Sequence, residues 1–359
     1  MANQIDIPSG AKIKVVGVGG GGSNAVSRMY RERMSSVEYL VINTDKQALL
    51  RCDVPLRISI GDQLTQGKGV GGNPEKGAQA ANESREQLFE SLSDVDMVFV
   101  AAGMGGGTGT GAAPAVAEIA KQTGALTVGV ITTPFHFEGN RRMKNAKEGI
   151  EKLKANVDTL LIIPNERLSN ICDEEITTQN AFEMADDVLK LGVQSIAELV
   201  TLPGEINLDF ADIKAIMENS GPAWMSIGYG SGDNRAKEAA HQAISNPLLD
   251  ISVEEAKGVL FNVTGGTDLR LSELNEAAEV IQNVVHPDAN IIFGMNTDEK
   301  MNDQVKLTVI ATGMPTDQQS SLPSPDVLDD PDMPPFMRRI NKYRSENSDV
   351  NPKHETDVA

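Results

Sequence analysis

The stretch with the clearest chemical potential is a glycine loop at residues 103–111, which reads Gly-Met-Gly-Gly-Gly-Thr-Gly-Thr-Gly. An apolar run at 97–102 precedes it, and an alanine-rich helical pattern at 112–120 follows it. Glycines let the backbone approach a ligand without an intervening Cβ. The first turn of a helix adds unpaired N–H groups and a partial positive charge. The loop therefore predicts a phosphate-binding site between a strand and a helix, and a flexible surface loop is the alternative.

Two further glycine-rich segments lie upstream of this loop. The first contains Gly17, Gly19 and Gly22 at the G-x-G-x-x-G spacing of a dinucleotide-binding fold, and Asp45 falls near the place of a ribose-binding acid. This pattern alone makes a dehydrogenase a fair alternative. The second segment, at 67–77, is not needed by a dehydrogenase and counts against that class. The sequence contains no G-x-x-x-x-G-K pattern followed by Ser or Thr, so it has no P-loop.

A pair of aspartates, Asp209 and Asp212, begins a short helical pattern that runs to about residue 219. Acids at the N-cap and N3 positions are favourable at a helix start. The residues alone therefore give this pair a structural role.

The elements that position these segments alternate between strands and helices. This alternation predicts a parallel, doubly wound α/β sheet, and ligands bind at the carboxyl edge of such sheets. We expect all three glycine segments to meet at that edge. The predicted strands span 12–18, 39–42, 97–102, 126–131 and 159–163, and the predicted helices span 25–33, 75–92, 112–123 and a segment ending near 155.

A long helix is predicted at 178–200, where apolar residues recur at helical spacing over more than one narrow face. We expect it to be buried between two domains. Beyond it, strand-like runs and helical patterns predict a second, smaller α/β domain. The predicted strands there span 223–229, 259–263, 290–293 and 305–311, and the helices lie near 234–244 and 272–285.

The composition argues against several classes of protein. With a formal net charge of -19, the chain is a poor candidate for binding nucleic acid, which needs clustered basic residues. Cys52 and Cys172 form no C-x-x-C pair and the four histidines have no ligand spacing, so we predict neither disulfides nor a structural metal site. No apolar run approaches ~20 residues, and the N-terminus lacks signal-peptide features. We expect a cytoplasmic protein that does not insert into a membrane.

The composition changes at Pro315. Residues 315–335 are rich in Pro, Asp and Ser and cannot bury enough apolar surface to fold, so we predict disorder there. An amphipathic pattern with interspersed basic residues follows, which predicts a docking peptide on a flexible tether. Chance apolar residues in a disordered tail are the alternative. The apolar residues of this pattern are Met333, Phe336, Met337, Ile340 and Tyr343.

Three motifs together give the chain a resemblance to a known family. They are Gly-Val-Gly-Gly-Gly-Gly-Ser-Asn at 17–24, Gly-Gly-Gly-Thr-Gly-Thr-Gly at 105–111 and Asn-Leu-Asp-Phe-Ala-Asp at 207–212. In this order they resemble the tubulin and FtsZ superfamily of GTPases, and within it the bacterial cell-division branch. The resemblance covers residues ~12–315 almost continuously. It implies a Rossmann-like GTP-binding domain, a long central helix and a smaller C-terminal α/β domain.

The resemblance implies that the glycine segments hold the phosphates of GTP or GDP. Mg²⁺ would neutralise phosphate charge, and because the sequence offers no dedicated magnesium ligands, nucleotide oxygens and water would supply most of its coordination. The residues implied around the phosphates are Gly20, Gly21, Gly22, Ser23, Asn24, Gly71, Gly72, Gly107, Thr108 and Gly109.

The rest of the nucleotide is also placed by the resemblance. Glu138 would bind the ribose, with Arg142 nearby. Asn165 and Asp186 would read the guanine edge, since a carboxylate accepts two N–H bonds that guanine offers and adenine does not. Phe182 would stack on the base. On the residues alone, Phe182 and Asp186 would instead be assigned to helix packing and to a solvated acid.

The resemblance further implies an active site shared between subunits. Asp209 and Asp212 of one subunit would orient or polarise the water that attacks the GTP of the next, and Asn207 would contact the phosphates or metal-bound water. The chain would polymerise head to tail and form the contractile ring at midcell. The peptide at 332–344 would bind membrane-tethering division adaptors. Because the chain continues past this motif to Ala359, the specificity for the adaptor stays open.

Three other functions remain as alternatives: a Rossmann oxidoreductase, a GTP-binding scaffold without catalysis, and a tubulin-like filament that segregates DNA. The extra glycine segments count against the first, the aspartate pair against the second and the tail peptide against the third. The implied organisation is a flexible arm (1–10), a GTP-binding domain (11–177), a central helix (178–203), a GTPase-activating domain (204–314), a disordered linker (315–331), the adaptor-docking peptide (332–344) and a variable tail (345–359).

Overall fold

The computed structural model describes residues 11–32, 37–169, 177–201, 209–245, 256–298, 300–301 and 303–314. Ten strands lie within these residues: β1 (Ile13–Val18), β2 (Val37–Asn43), β3 (Leu56–Ser59), β4 (Met97–Gly103), β5 (Leu126–Thr133), β6 (Thr159–Pro164), β7 (Gly221–Ser231), β8 (Gly258–Gly265), β9 (Asn290–Thr297) and β10 (Gln304–Thr312). They form one sheet in the order β3-β2-β1-β4-β5-β6-β7-β10-β8-β9.

The first six strands are all parallel, and β1 lies between β2 and β4. Strands β1, β4 and β5 are buried along nearly their whole length, because helices cover both faces of the sheet, as in other parallel sheets. Alternate residues point into two separate apolar cores. Val15 and Phe99 belong to one core, and Val16 and Val98 belong to the other. The predicted doubly wound α/β sheet is thereby confirmed.

Twelve α-helices occur in the described part of the chain, together with a short 3₁₀ helix, His136–Glu138. The α-helices are α1 (Gly19–Glu32), α2 (Lys46–Leu50), α3 (Asp62–Thr65), α4 (Pro74–Glu83), α5 (Arg85–Leu92), α6 (Thr108–Gln122), α7 (Asn140–Lys154), α8 (Asn165–Ser169), α9 (Thr178–Thr201), α10 (Phe210–Met217), α11 (Arg235–Ile244) and α12 (Leu271–Gln282).

The structure differs from the sequence-based predictions at several places. Helices α1 and α6 begin earlier than predicted, because the low helix propensity of glycine conceals a helix start that tertiary contacts enforce. The predicted helix 75–92 is divided at Ser84, which leaves helical geometry and accepts the Gly61 N–H on its hydroxyl at 3.2 Å. Strand β3 was not predicted, since its four residues are too few to show a period and two of them are exposed.

The long helix α9 connects the two halves of the sheet, as predicted. Its 24 residues correspond to about 36 Å. Val193 and Ile196 are fully buried in the apolar core that also contains Leu260 of β8. The helix runs in the same direction as α1, since Arg28 of α1 lies 3.6 Å from Asp186 of α9, and Glu32, four residues further along α1, lies 2.8 Å from Lys190, four residues further along α9. Helix α1 starts where β1 ends, so α9 runs from the carboxyl edge of the parallel strands toward their amino edge.

The C-terminal half is a smaller mixed α/β layer. Strand β10 is antiparallel to both β7 and β8, whereas β8 and β9 are parallel. Helices α11 and α12 cover one face, where Trp224, Phe261 and Leu307 form the core. The prediction of a second α/β layer is confirmed, and its sheet joins the first through a short parallel contact between β6 and β7. No helix in the residues described has the length and apolar character needed to cross a membrane.

Candidate nucleotide-binding site

A cleft of about 470 Å³ lies at the carboxyl edge of the parallel strands. Segments from all three glycine-rich parts of the sequence meet there, together with the ends of β2, β5 and β6. Most of the predicted nucleotide-binding residues line it: Gly20, Gly21, Asn24, Gly71, Gly72, Gly107, Thr108, Gly109, Glu138, Arg142, Asn165, Phe182 and Asp186.

Gly22 and Ser23 are predicted phosphate-binding residues that lie behind the cleft lining. A Cβ on Gly22 would stand 2.2 Å from the carbonyl oxygen of Ala101, so only glycine allows α1 to approach β4 this closely. The Ser23 side chain is buried, and its hydroxyl has no hydrogen-bond partner among the described residues. Gly22 therefore positions the first turn of α1 beside the cleft.

The N-terminus of α6 forms one wall of the cleft. Gly107 is its N-cap and contributes no side-chain cap, so the N–H groups of the first turn have no carbonyl partner within the helix. The hydroxyls of Thr108 and Thr44 are buried and 2.7 Å apart. Backbone donors, the helix dipole and two hydroxyls at one place favour an anion such as a phosphate.

A second glycine loop faces this helix start. Gly71 and Gly72 have φ angles of 59° and 77°, a left-handed conformation that glycine adopts without steric cost. The following Asn73 caps α4 by accepting the Lys76 N–H at 3.2 Å. The loop therefore presents backbone, rather than side chains, to the cleft.

Glu138 and Arg142 stand on the next part of the wall. The Glu138 carboxylate accepts the Phe135 N–H at 3.0 Å and forms an ion pair with Arg142 one turn later. The Glu138 side chain is only 10% exposed, whereas that of Arg142 is 51% exposed. The glutamate is thus held in place, and it orients the half-exposed guanidinium of Arg142 at the cleft.

The far end of the cleft combines an amide, an aromatic ring and a carboxylate. Asn165 is 5% exposed, and its Oδ1 has no hydrogen-bond partner among the described residues. Phe182 is 43% exposed and lies edge-to-face with Phe135, with ring centroids 5.5 Å apart. Burying an unpaired amide is unfavourable, so the site suits a ligand that hydrogen-bonds to Asn165 and covers Phe182.

Asp186 completes this end, with a side chain that is 14% exposed. Burial raises the pKa of Asp186 to about 7, an effect opposed by the positive charge of Arg28 and reinforced by Asp187 and Glu183. A carboxyl with a raised pKa that lines the same cleft as an unpaired amide is typical of a ligand-binding site.

Several cleft residues were missed in the sequence as ligand contacts. Asn43 ends β2 and Thr44 follows it, and Thr132 and Thr133 end β5. Asp45, considered in the sequence only as the ribose-binding acid of a dehydrogenase, also lines the cleft. These residues could have been identified from their position at the carboxyl ends of parallel strands, because those ends meet at one edge of the sheet. Which strands are neighbours in the sheet was not readable from the sequence, so these side chains could not be joined to the glycine loops.

Asp209 and Asp212 lie elsewhere in the molecule. Asp209 is the N-cap of α10 and accepts the Asp212 N–H at 2.8 Å, and the Asp212 carboxylate in turn accepts the Asp209 N–H at 3.3 Å. The predicted capping role is therefore confirmed. The other end of α10 is bound to the amino edge of the sheet, where the Thr159 hydroxyl donates to the Met217 carbonyl. Asn207 lies outside the described residues.

A metal site was predicted to lack dedicated ligands. In the described part of the chain, no group of three or more His, Cys, Asp or Glu residues could hold a metal ion.

The fold and the cleft define a nucleotide-binding α/β protein in which a long helix connects a parallel sheet to a smaller mixed one. Residues 12–173 match the GTPase domain of the Tubulin/FtsZ family, and residues 221–315 match the C-terminal domain of the FtsZ family. The chain belongs to the FtsZ family of tubulin-like cell-division GTPases. The oxidoreductase alternative is thereby removed.

Solved structures agree with this assignment. The FtsZ of M. jannaschii, solved as an empty dimer, is 46% identical, with a TM-score of 0.81 over 85% of this chain and 89% of that chain. GDP-bound CetZ1 from Haloferax volcanii is 21% identical, with a TM-score of 0.74 over 85% of this chain and 95% of that one. CetZ2 from the same organism, a GTPγS-bound protofilament, is 18% identical, with a TM-score of 0.73 over 85% and 94%. The two CetZ proteins share the fold.

Proposed function

We propose that this protein binds GTP in the cleft, polymerises head to tail, and hydrolyses the GTP at the contact between adjacent subunits. The observation that carries the proposal is the separation of the cleft from Asp209 and Asp212. The cleft is at the carboxyl edge of the sheet, while α10 is attached to Thr159 at the amino edge. Helix α9, about 36 Å long, runs from one edge toward the other.

This separation means that one molecule does not bring its own Asp209 and Asp212 to its own nucleotide. A second copy stacked in the same orientation would place its α10 over the cleft of the first. Such a contact joins two different surfaces of the same protein. It builds an open filament when the rotation that relates neighbouring copies does not close a ring. The relatives support this arrangement, because the M. jannaschii FtsZ was solved as a dimer and CetZ2 as a protofilament.

Within the cleft, the phosphates would lie on the N-terminus of α6 and the first turn of α1. Gly71 and Gly72 would lie near the γ-phosphate, so that their loop senses whether it is present. Glu138 and Arg142 would contact the ribose, and Phe182 would stack on the base. The unpaired Oδ1 of Asn165 and the carboxylate of Asp186 would face the donors on the guanine edge.

At the subunit contact, Asp209 and Asp212 would orient the attacking water and accept its proton. Their reciprocal capping bonds leave each carboxylate with a further oxygen lone pair while restraining its direction. Asn207 would contact the phosphates or the water. Bound Mg²⁺ would neutralise charge on the β- and γ-phosphates.

Membership of the FtsZ family supports a role in cell division. We propose a cytoplasmic filament that forms the contractile ring at the midcell division site. The peptide at 332–344, which lies outside the described residues, would bind membrane-tethering adaptors through its apolar and basic side chains. The segment 11–177 would act as the GTP-binding domain, 178–203 as the central helix, and 204–314 as the domain that activates the neighbouring GTPase.

The test is GTPase activity per molecule measured over a wide range of protein concentrations, at saturating GTP and Mg²⁺. We expect activity per molecule to fall toward zero on dilution, because the site is complete only in an assembled pair. GDP binding by calorimetry serves as the control and should not depend on protein concentration. Activity per molecule that stays constant down to high dilution would contradict a shared site.

A further inference from the structure

Arg28 connects the phosphate-binding helix α1 to the base-binding end of α9. Its guanidinium lies against three carboxylates of α9: Nη2 is 3.5 Å from Glu183 Oε1, Nε is 3.6 Å from Asp186 Oδ2, and Nη1 is 3.9 Å from Asp187 Oδ1. No contact is short, so the cation is shared among the three acids rather than hydrogen-bonded to one of them.

The three carboxylates differ in what they face. The side chains of Glu183 and Asp187 are 42% and 54% exposed and do not line the cleft. Asp186 is 14% exposed and does line it. Two exposed acids are already stabilised by water, so the charge of Arg28 has its main effect on the buried one.

The remaining charges around Asp186 oppose its ionisation. Glu183 and Asp187 are on the same helix and repel a third negative charge. Lys190, one turn further along, is held by Glu32 of α1 at 2.8 Å and by Asp187 at 3.8 Å. Among the residues that the structure describes, Arg28 is thus the cation that lies directly against Asp186.

We propose that Arg28 is a positioning residue for guanine recognition, holding Asp186 charged and aimed at the base. This inference rests on the proposed contact between Asp186 and guanine. The base edge presents two N–H donors, which a carboxylate accepts. A protonated carboxyl would point its own O–H at a donor and would lose one of these bonds. Nucleotide binding is therefore coupled to proton release from Asp186.

The pH dependence of GDP affinity distinguishes this role from a purely structural link between α1 and α9. Burial raises the pKa of Asp186 to about 7 while Arg28 opposes the rise, so affinity should increase with pH and reach half of its change near pH 7. Removing Arg28 should move this midpoint upward by about one pH unit, which lowers GDP affinity about fivefold at pH 7 and much less at pH 8.5. If Arg28 served only as a structural link between α1 and α9, its removal would weaken GDP binding equally at every pH.

The experiment measures GDP and IDP dissociation constants by calorimetry from pH 5.5 to 8.5 on the full chain. IDP lacks the 2-amino group of guanine, so the ratio of the IDP and GDP dissociation constants measures the contact with that part of the base. The variants are Arg28→Met, Arg28→Lys and Asp186→Asn, with Asp187→Asn as the matched control that alters an Arg28 partner outside the cleft. The phosphate of GDP titrates identically in every variant, so its contribution cancels in the comparison.

We expect Arg28→Met to shift the midpoint of the GDP affinity profile upward, whereas Arg28→Lys should keep the midpoint close to that of the wild type. Asp186→Asn should make GDP affinity nearly independent of pH and reduce the preference for GDP over IDP. Asp187→Asn removes a negative charge that raises the pKa of Asp186, so it should move the midpoint downward and leave the preference for GDP over IDP unchanged. A profile for Arg28→Met that overlays the wild type, or that falls equally at all pH values, overturns the role of Arg28. If Asp186→Asn keeps the wild-type profile and preference, the base contact itself is wrong, and the inference falls with it.

Discussion

Nucleotide binding should depend on glycine at position 106: a methyl group there should weaken binding about a hundredfold or more and leave the fold intact. Gly106 lines the cleft, and the nearest atom to a Cβ built on it is Arg142 Nη2, at 4.0 Å. The methyl would therefore occupy cleft volume without meeting the protein. Replacing glycine by alanine at an unstrained position stabilises a protein by about 0.4–1 kcal/mol, because the unfolded chain loses freedom.

The expected shifts in Tm on adding GDP follow from the free energy of GDP binding and the entropy of unfolding. For the wild type, GDP at a hundred times its dissociation constant adds about 2.7 kcal/mol. With about 2.1 cal/mol/K of unfolding entropy per residue over the described chain, that gain raises Tm by roughly 5 °C. If Gly106→Ala weakens binding a hundredfold, the same GDP concentration adds only about 0.4 kcal/mol, which is less than about 1 °C.

The assay is differential scanning calorimetry with and without GDP. Gly106→Ala should melt at or slightly above the wild-type temperature without GDP and should gain almost nothing from GDP. Gly22→Ala is the contrasting control: its Cβ would lie 2.2 Å from the Ala101 carbonyl oxygen outside the cleft lining, so overpacking should cost about 1–3 kcal/mol in the absence of nucleotide. A full GDP shift in Gly106→Ala would refute the placement of the nucleotide.

Four further predictions follow from other parts of the structure. Asp209→Asn should keep the helix cap and stability yet lose GTPase activity, whereas Asp209→Ala should also lose about 0.5–2 kcal/mol by denaturant unfolding; equal activity in all three proteins would contradict this. Lys121→Met should cost about 1–3 kcal/mol, because the buried Asp158 loses its partner at 2.9 Å; an unchanged urea midpoint would contradict it. The raised pKa of Asp186, about 7, means that the wild type should lose stability relative to Asp186→Asn as pH rises from about 4 to 7, and a constant difference would contradict this. Deleting 332–344 should abolish adaptor binding in pull-down assays and preserve polymerisation by light scattering; lost polymerisation would place this peptide in the filament itself.

The sequence predicted the local structure around the glycine loop at 103–111 well, because its signals are local. A glycine loop between an apolar run and a helical pattern defines its own geometry, and residues 103–111 became the end of β4 and the start of α6. The cap formed by Asp209 and Asp212 was equally local, since it depends on residues three apart.

The base end of the site was not readable in this way. Asp186 in α9 meets Arg28 in α1, far away in the sequence, and its burial depends on how the two helices pack. Thr44 reaches Thr108 only because β2 and β4 both flank β1. Such contacts depend on strand order and helix direction, which periodicity does not reveal, so these residues were placed by resemblance or were missed.

The central claim is that each active site is built from two subunits, and mixing two inactive variants tests it most directly. Asp212→Ala keeps the cleft and lacks an acid, whereas Thr108→Arg fills the cleft and keeps both acids. In an equimolar mixture that assembles at random, about a quarter of head-to-tail contacts would pair an intact cleft with intact acids. We predict that GTPase activity reappears in the mixture. No activity at any ratio, with both variants folded and Asp212→Ala still binding GDP, would contradict the shared site.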